Sequence, residues 1–199
     1  MSNAGYTVAS NNTHVEFFDE DGNVLYSEGE NTFWSTLGPT ANIYDPKILY
    51  NAVANKFILM ALHGSSSSLS ELYVAFSVSN NPMDGWWYYT FDGNPGALSS
   101  WWFDYPSIGH SAEDLFISGN MFTDSDAYQA TSLFQIEMND GFTGGSLSFV
   151  YWSDVNQAND QNTFTVKPLQ YPFGTYGPGI YLASTVSYAH LTLPTNGCV

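Results

Sequence analysis

Two aspartates, Asp45 and Asp104, stand about 60 residues apart in matching stretches of sequence. Ile43-Tyr44-Asp45-Pro46-Lys47-Ile48-Leu49-Tyr50 is echoed by Trp102-Phe103-Asp104-Tyr105-Pro106-Ser107-Ile108-Gly109. Carboxylates that recur on such a schedule can hold Ca²⁺ or Na⁺ through oxygen ligands, or engage sugar hydroxyls. One of them can also serve a glycoside hydrolase, which needs a second carboxyl group about 5–9.5 Å away. Glu71 and Glu113 are the candidate partners, at a loop edge and in a turn respectively, and no motif places either. The commoner role for an aspartate at such a place is local. It accepts backbone N–H bonds at the entry to a strand, beside a proline that shapes the bend. A fainter third copy, Phe164-Thr165-Val166-Lys167-Pro168-Leu169-Gln170, has Thr165 or Val166 in the aspartate's place, which argues against a complete carboxylate ring.

Aromatic side chains supply the second candidate chemistry. Trp86-Trp87-Tyr88-Tyr89 and Trp101-Trp102-Phe103 are dense, and a flat ring covers the apolar face of a pyranose at low entropic cost. Strand alternation sends only every second ring outward, and packing between sheets consumes large aromatics. Core packing is therefore the default, with one or two rings at a rim; Trp87 and Trp102 are the candidates for ligand contact.

Other motifs carry less. Asp19-Glu20-Asp21-Gly22-Asn23 has acidic spacing, but an EF-type calcium loop requires glycine at its sixth position, where Val24 stands, so a hairpin turn is the better reading. Asp124-Ser125-Asp126 is equally short of a calcium loop. The histidines His14, His63, His110 and His190 share no metal-ligand spacing. No Gly-x-Ser-x-Gly elbow and no phosphate-binding glycine loop occurs.

Charge narrows the partners. Nineteen acidic residues face three basic ones, Lys47, Lys56 and Lys167, giving a net charge of −16 with no arginine. Such a chain has no means of gripping phosphates, which excludes nucleic acid and disfavours anionic membrane surfaces. No apolar run approaches the ~18–20 residues that span a bilayer. The single cysteine, Cys198, permits no internal disulfide. Met1-Ser2-Asn3-Ala4 reads as a remnant of an expression tag.

The elements that must position these residues are strands. Thr13 to Phe18, the turn Asp19 to Gly22, and Asn23 to Tyr26 predict a hairpin, and a polar linker from Ser27 to Thr40 follows it. The first repeat predicts strands near 43–50, 56–63, 71–79 and 86–92. The second predicts strands near 102–109, 114–121, 130–138 and 146–152, and the last shows two, near 163–170 and 179–185. No amphipathic helix of ten or more residues is evident. Four antiparallel strands per ~60 residues is the pattern of a β-propeller blade.

The fold class expected is thus all-β, a partial β-propeller of about two and a half four-stranded blades plus a hairpin from a preceding blade. Residues 1–12 are expected to be disordered or tag-derived, 13–186 to form the partial propeller, and 187–199 to be a tail that resembles translated cloning-linker sequence. Open blade edges invite edge-to-edge self-association.

Several segments in fixed order carry a resemblance. They are Phe17 to Leu25, Asn31-Thr32-Phe33-Trp34, Tyr44 to Asn51, Ala75 to Pro82, Gly85-Trp86-Trp87-Tyr88-Tyr89 and Asp104 to Gly109. Over about residues 13–185 the chain resembles a family of large secreted bacterial β-propeller proteins, often found as one module among several. The resemblance implies an extracellular or cell-surface address and brings no catalytic residues with it. The functional expectation is a binding or scaffolding module for carbohydrate or a cell-surface protein. A glycan-active hydrolase using Asp45 or Asp104 and a passive structural spacer are the alternatives.

Overall fold

The computed structural model describes residues 1–3, 5–155, 163–170 and 179–184, and it is all-β. Strands β1 (Tyr6–Ser10), β2 (His14–Asp19) and β3 (Val24–Gly29) form a three-stranded antiparallel sheet. A single helical turn, α1 (Glu30–Phe33), and a 3-10 turn at Ser35–Leu37 lead to the next sheet. That sheet is a four-stranded meander of β4 (Ile43–Asn51), β5 (Lys56–Ser66), β6 (Leu69–Ser77) and β7 (Trp86–Asp92). A second meander follows with β8 (Trp102–His110), β9 (Asp114–Phe122), β10 (Tyr128–Glu137) and β11 (Phe149–Trp152). Strands β12 (Val166–Pro168) and β13 (Leu182–Ser184) pair as a two-stranded sheet.

Period-2 alternation decides how these sheets stack. On β5, Phe57, Leu59 and Ala61 point into one core with Val8, Val15 and Phe17 of the first sheet. The intervening Ile58, Met60 and Leu62 point into another, with Phe103, Leu115, Ile117 and Phe134 of the third. A strand buried on both faces needs apolar residues at every position, which is why Phe57 to Leu62 is an unbroken apolar run. On β9 the face toward the last sheet carries Phe116, Ser118 and Asn120, and Phe116 packs with Val166, Ile180 and Leu182. Ser118 and Asn120 are wholly buried, and they bond to the chain at Val166 and Thr165. The first strands of successive sheets adjoin in chain order: β1 beside β4, β4 beside β8, and β8 beside β12. Among the described residues the four sheets do not close into a ring.

Three expectations need correction. The expectation of disorder does not hold for Tyr6–Ser10: these residues form β1, which pairs with Val15–Asp19, and Val8 is fully buried. The predicted hairpin is accordingly part of a three-stranded sheet. The segment from Ser27 to Thr40 is no polar linker, since Phe33 and Trp34 are core residues. The tail from 187 to 199, with His190 and Cys198, lies outside the described residues.

Candidate functional site

Each first strand of a meander breaks its ladder near its start. Pairing with the neighbouring strand skips between Tyr44 and Lys47 on β4, and between Asp104 and Ser107 on β8. Two residues are left unpaired at each bulge, and the first of them is left-handed: Asp45 at φ 50° and Tyr105 at φ 56°, each preceding a proline. Thr165, just before β12, has φ 57°. The structural repeat therefore matches Asp45 with Tyr105 and Thr165, and it matches Tyr44 with Asp104. Asp45 and Asp104 are one residue out of step, because the second copy has a tyrosine between its aspartate and its proline.

The left-handed residues share one device. Each offers its N–H to a side-chain oxygen: Asp45 to Asn12 Oδ1 at 2.8 Å, Tyr105 to Asp104 Oδ1 at 2.8 Å, and Thr165 to Asn120 Oδ1 at 3.1 Å. Asp104 thus performs the local, strand-entry role that Asn12 and Asn120 perform elsewhere. Asp45 does not, and no hydrogen bond from a described residue reaches its carboxylate.

The bulges nonetheless form one electrostatic patch. Burial raises the Asp104 carboxyl above its ordinary range; the Tyr105 N–H bond opposes this, the charges of Asp45 and Asp126 add to it, and Lys47 lowers it. The Tyr44 phenol is pushed well up by burial and then by the charges of Asp104 and Asp45, while its hydroxyl donates to the Gly64 carbonyl at 3.0 Å. Beside Asp45 lies an open depression of about 500 Å³, walled by Ser10 to Thr13 and by Asp45 to Lys47.

Aromatic rings extend the patch from Asp104. Trp102 and Phe122 lie 5.6 Å apart between centroids, Phe122 and Tyr105 6.0 Å, Tyr105 and Phe164 6.2 Å, and Phe164 and Tyr128 5.1 Å. Tyr105 is 56% exposed and Phe164 47%. The Trp102 indole N–H donates to the Thr123 carbonyl and the Tyr128 hydroxyl to Thr163, which fixes the rings from behind. A bulky residue in left-handed backbone is a true outlier. Tyr105 is such a residue, and it is the ring most open to solvent in this group.

The structure brings Asp45, Asp104 and Trp102 to this rim and leaves Trp87 elsewhere. Trp87 stands on β7 opposite Phe76, at the other end of the strands from the bulges, and is 40% exposed with its ring against Gly144. Glu71 is engaged by His63 Nδ1 at 2.8 Å, and His63 Nε2 accepts the N–H groups of Thr40 and Ala41. Those partners fix the tautomer with the proton on Nδ1. Glu113 sits in the turn after β8, next to Asp114; Asp104 pairs with Asn120, six residues further along β9, which puts Glu113 about 20 Å from Asp104 at ~3.3 Å per residue. That is too far for a glycosidase pair. Asp19 accepts from the N–H groups of Asp21 and Asn23 and from the Asn23 amide, as a hairpin turn requires, with Gly22 at φ 82°. Among the described residues no three His, Cys, Asp or Glu side chains stand together as a metal site. Tyr105, Phe122, Tyr128 and Phe164 escape sequence reasoning, since they come from β8, β9, β10 and the chain before β12. The signal that was present is Tyr105 itself, an aromatic inserted before the repeat's proline.

Ser10, one of the residues that wall the depression, is bonded to a buried acid. Glu30 accepts from the Ser10 hydroxyl at 2.6 Å and from the Trp34 indole N–H at 2.8 Å. Burial pushes its carboxyl above the ordinary 4.5, against those two bonds and the charge of His14. A carboxyl whose folded pKa exceeds its unfolded one favours folding at pH below the unfolded value, and that favour is lost as pH rises through the folded value. Urea titrations of the parent chain and Glu30→Gln should therefore show the stability difference moving toward the parent as the medium is acidified. A difference that is flat with pH would refute this.

No family model, curated protein or solved structure matches the chain.

Proposed function

We propose that this chain is a carbohydrate-binding module, an incomplete β-propeller whose ligand surface is the aromatic rim around Tyr105. The observation that carries the reading is the ring group Trp102–Phe122–Tyr105–Phe164–Tyr128, with two members about half exposed and Tyr105 held in left-handed backbone. Strain of this kind costs about 1–3 kcal/mol and clusters at ligand sites. The left-handed position recurs at Asp45 and Thr165, so what core packing leaves without a reason is an exposed tyrosine placed there. Flat rings suit the apolar faces of sugars, and the adjacent Asp104 and Asp45 supply acceptors for hydroxyls. The propeller reading draws support from the adjoining first strands in chain order and from the four-stranded meanders. An address outside the cell rests on the family resemblance.

The test is a glycan array followed by calorimetry on Tyr105→Asn. Asparagine tolerates the left-handed region, so this change removes the ring and relieves the strain together. The expected result is at least a tenfold loss of affinity, or about 1.4 kcal/mol, with unchanged or higher thermal stability. Full binding by Tyr105→Asn, or an array on which the parent binds nothing, would refute the module.

A hydrolase reading has one observation in its favour: Asp104 is raised by burial and further by the charge of Asp45, as a general acid would be. Release of reducing sugar by the parent and its loss in Asp104→Ala would establish it; binding without turnover would dismiss it.

A further inference from the structure

We infer that the glycan suited to this rim is cationic, an oligosaccharide of amino sugars whose amines are free. This rests on the carbohydrate-binding reading and narrows it. Tyr105 follows Asp104 directly, so the most exposed ring of the group stands beside a half-buried carboxylate. Asp45 and Asp126 lie close enough for their charges to act on Asp104, and Lys47 is the basic residue that acts against them. Asp126 occupies a left-handed position in the turn that follows Phe122, whose ring belongs to the group.

Asp104, with two further carboxylates and one ammonium close enough to act on it, thus stands at the edge of five electron-rich rings. Ring faces attract cations, and carboxylates beside them add Coulombic attraction for the same charge. An acidic glycan would meet repulsion at this border, and a neutral one would gain stacking alone. A net charge of −16 also steers cations toward the chain from a distance. A protonated amine on a pyranose satisfies both halves of the surface, its apolar face on the rings and its ammonium among the carboxylates.

The experiment is calorimetry of the full chain with two probes, a tetramer of glucosamine and the fully N-acetylated tetramer, in mildly acidic buffer of low ionic strength. The free-amine tetramer should bind at least about tenfold more tightly, and added salt should shrink that preference. Asp104→Asn keeps the acceptor for the Tyr105 N–H, and Asp45→Asn and Asp126→Asn keep residues that tolerate left-handed backbone. The triple variant should lose the preference, and circular dichroism and thermal unfolding matching the parent would show its fold intact. Equal affinity for the two tetramers, or a preference that survives in the folded triple variant, would overturn the cationic assignment and leave the carbohydrate module standing. Binding of neither tetramer, nor of any glycan on the array, would overturn both.

Discussion

Trp34→Ala should lower the unfolding free energy by about 4 kcal/mol, near the upper end of what single core truncations cost. Trp34 is fully buried between the first and second sheets. Its ring meets Phe33 at 5.0 Å, Tyr73 at 5.7 Å and Tyr88 at 5.9 Å between centroids. Truncation removes those contacts and leaves a cavity that three rigid aromatics cannot collapse into. It also removes the indole N–H from Glu30, a buried carboxylate then left with the Ser10 hydroxyl. Losing a donor to a buried charged group costs about 1–3 kcal/mol by itself. Trp34→Phe separates the two effects, because it keeps most of the ring and discards the N–H. Urea unfolding should place Trp34→Phe between the parent and Trp34→Ala, with slopes alike for all three. A Trp34→Ala chain within 1 kcal/mol of the parent would mean that the first two sheets do not share a core.

That residue also marks where sequence reading failed. The segment from Ser27 to Thr40 shows no period of 2 or 3.6, because α1 is one turn long and Glu30 is polar yet buried. Patterning needs several repeats before it speaks, and a four-residue helix offers barely one. The strands of the two meanders were legible for the opposite reason. The repeated aspartate and proline near the starts of β4 and β8, the unbroken apolar run on β5, the apolar Leu115-Phe116-Ile117 of β9, and Asn, Asp, Gly and Pro at the turns all agree. The predicted limits fall within a few residues of the observed ones. β1 was missed because Tyr6–Ser10 is a short run beside a sequence that resembles a tag.

The candidate site was half legible. Asp45 and Asp104 lie close enough for their charges to interact, but counting forward from Ile43 and Trp102 hides the shift between them. Counting back from Pro46 and Pro106 aligns Asp45 with Tyr105, the register that the bulges adopt. The rings around Tyr105 carry no local signature, since their neighbourhood is made by sheet pairing and by Asn120 holding the chain at Thr165. A positive φ at tyrosine is also beyond propensity, which would place glycine or asparagine there.

Gly119→Ala should cost about 2–3 kcal/mol, although it adds one methyl group. A Cβ at Gly119 would stand 2.2 Å from Phe103 Cζ and 2.4 and 2.7 Å from the two Cε atoms, closer than atoms pack. Phe103 cannot swing aside, being 1% exposed with its ring 5.7 Å from that of Phe134. The strain must pass into the backbone of β8, whose next residue is Asp104 at the bulge. Phe103→Leu shortens the offending side chain, so the double variant should be more stable than Gly119→Ala alone. Its coupling should be about 1–2 kcal/mol in the favourable sense, read from a double-mutant cycle in urea. The same cycle bears on the rim, because displacement of Asp104 displaces the acceptor that holds Tyr105 in left-handed backbone. Glycan affinity should therefore fall in Gly119→Ala and return in part with Phe103→Leu. A Gly119→Ala chain as stable as the parent would show that the ring of Phe103 does not rest on that glycine, and the link from the core to the rim would fall with it.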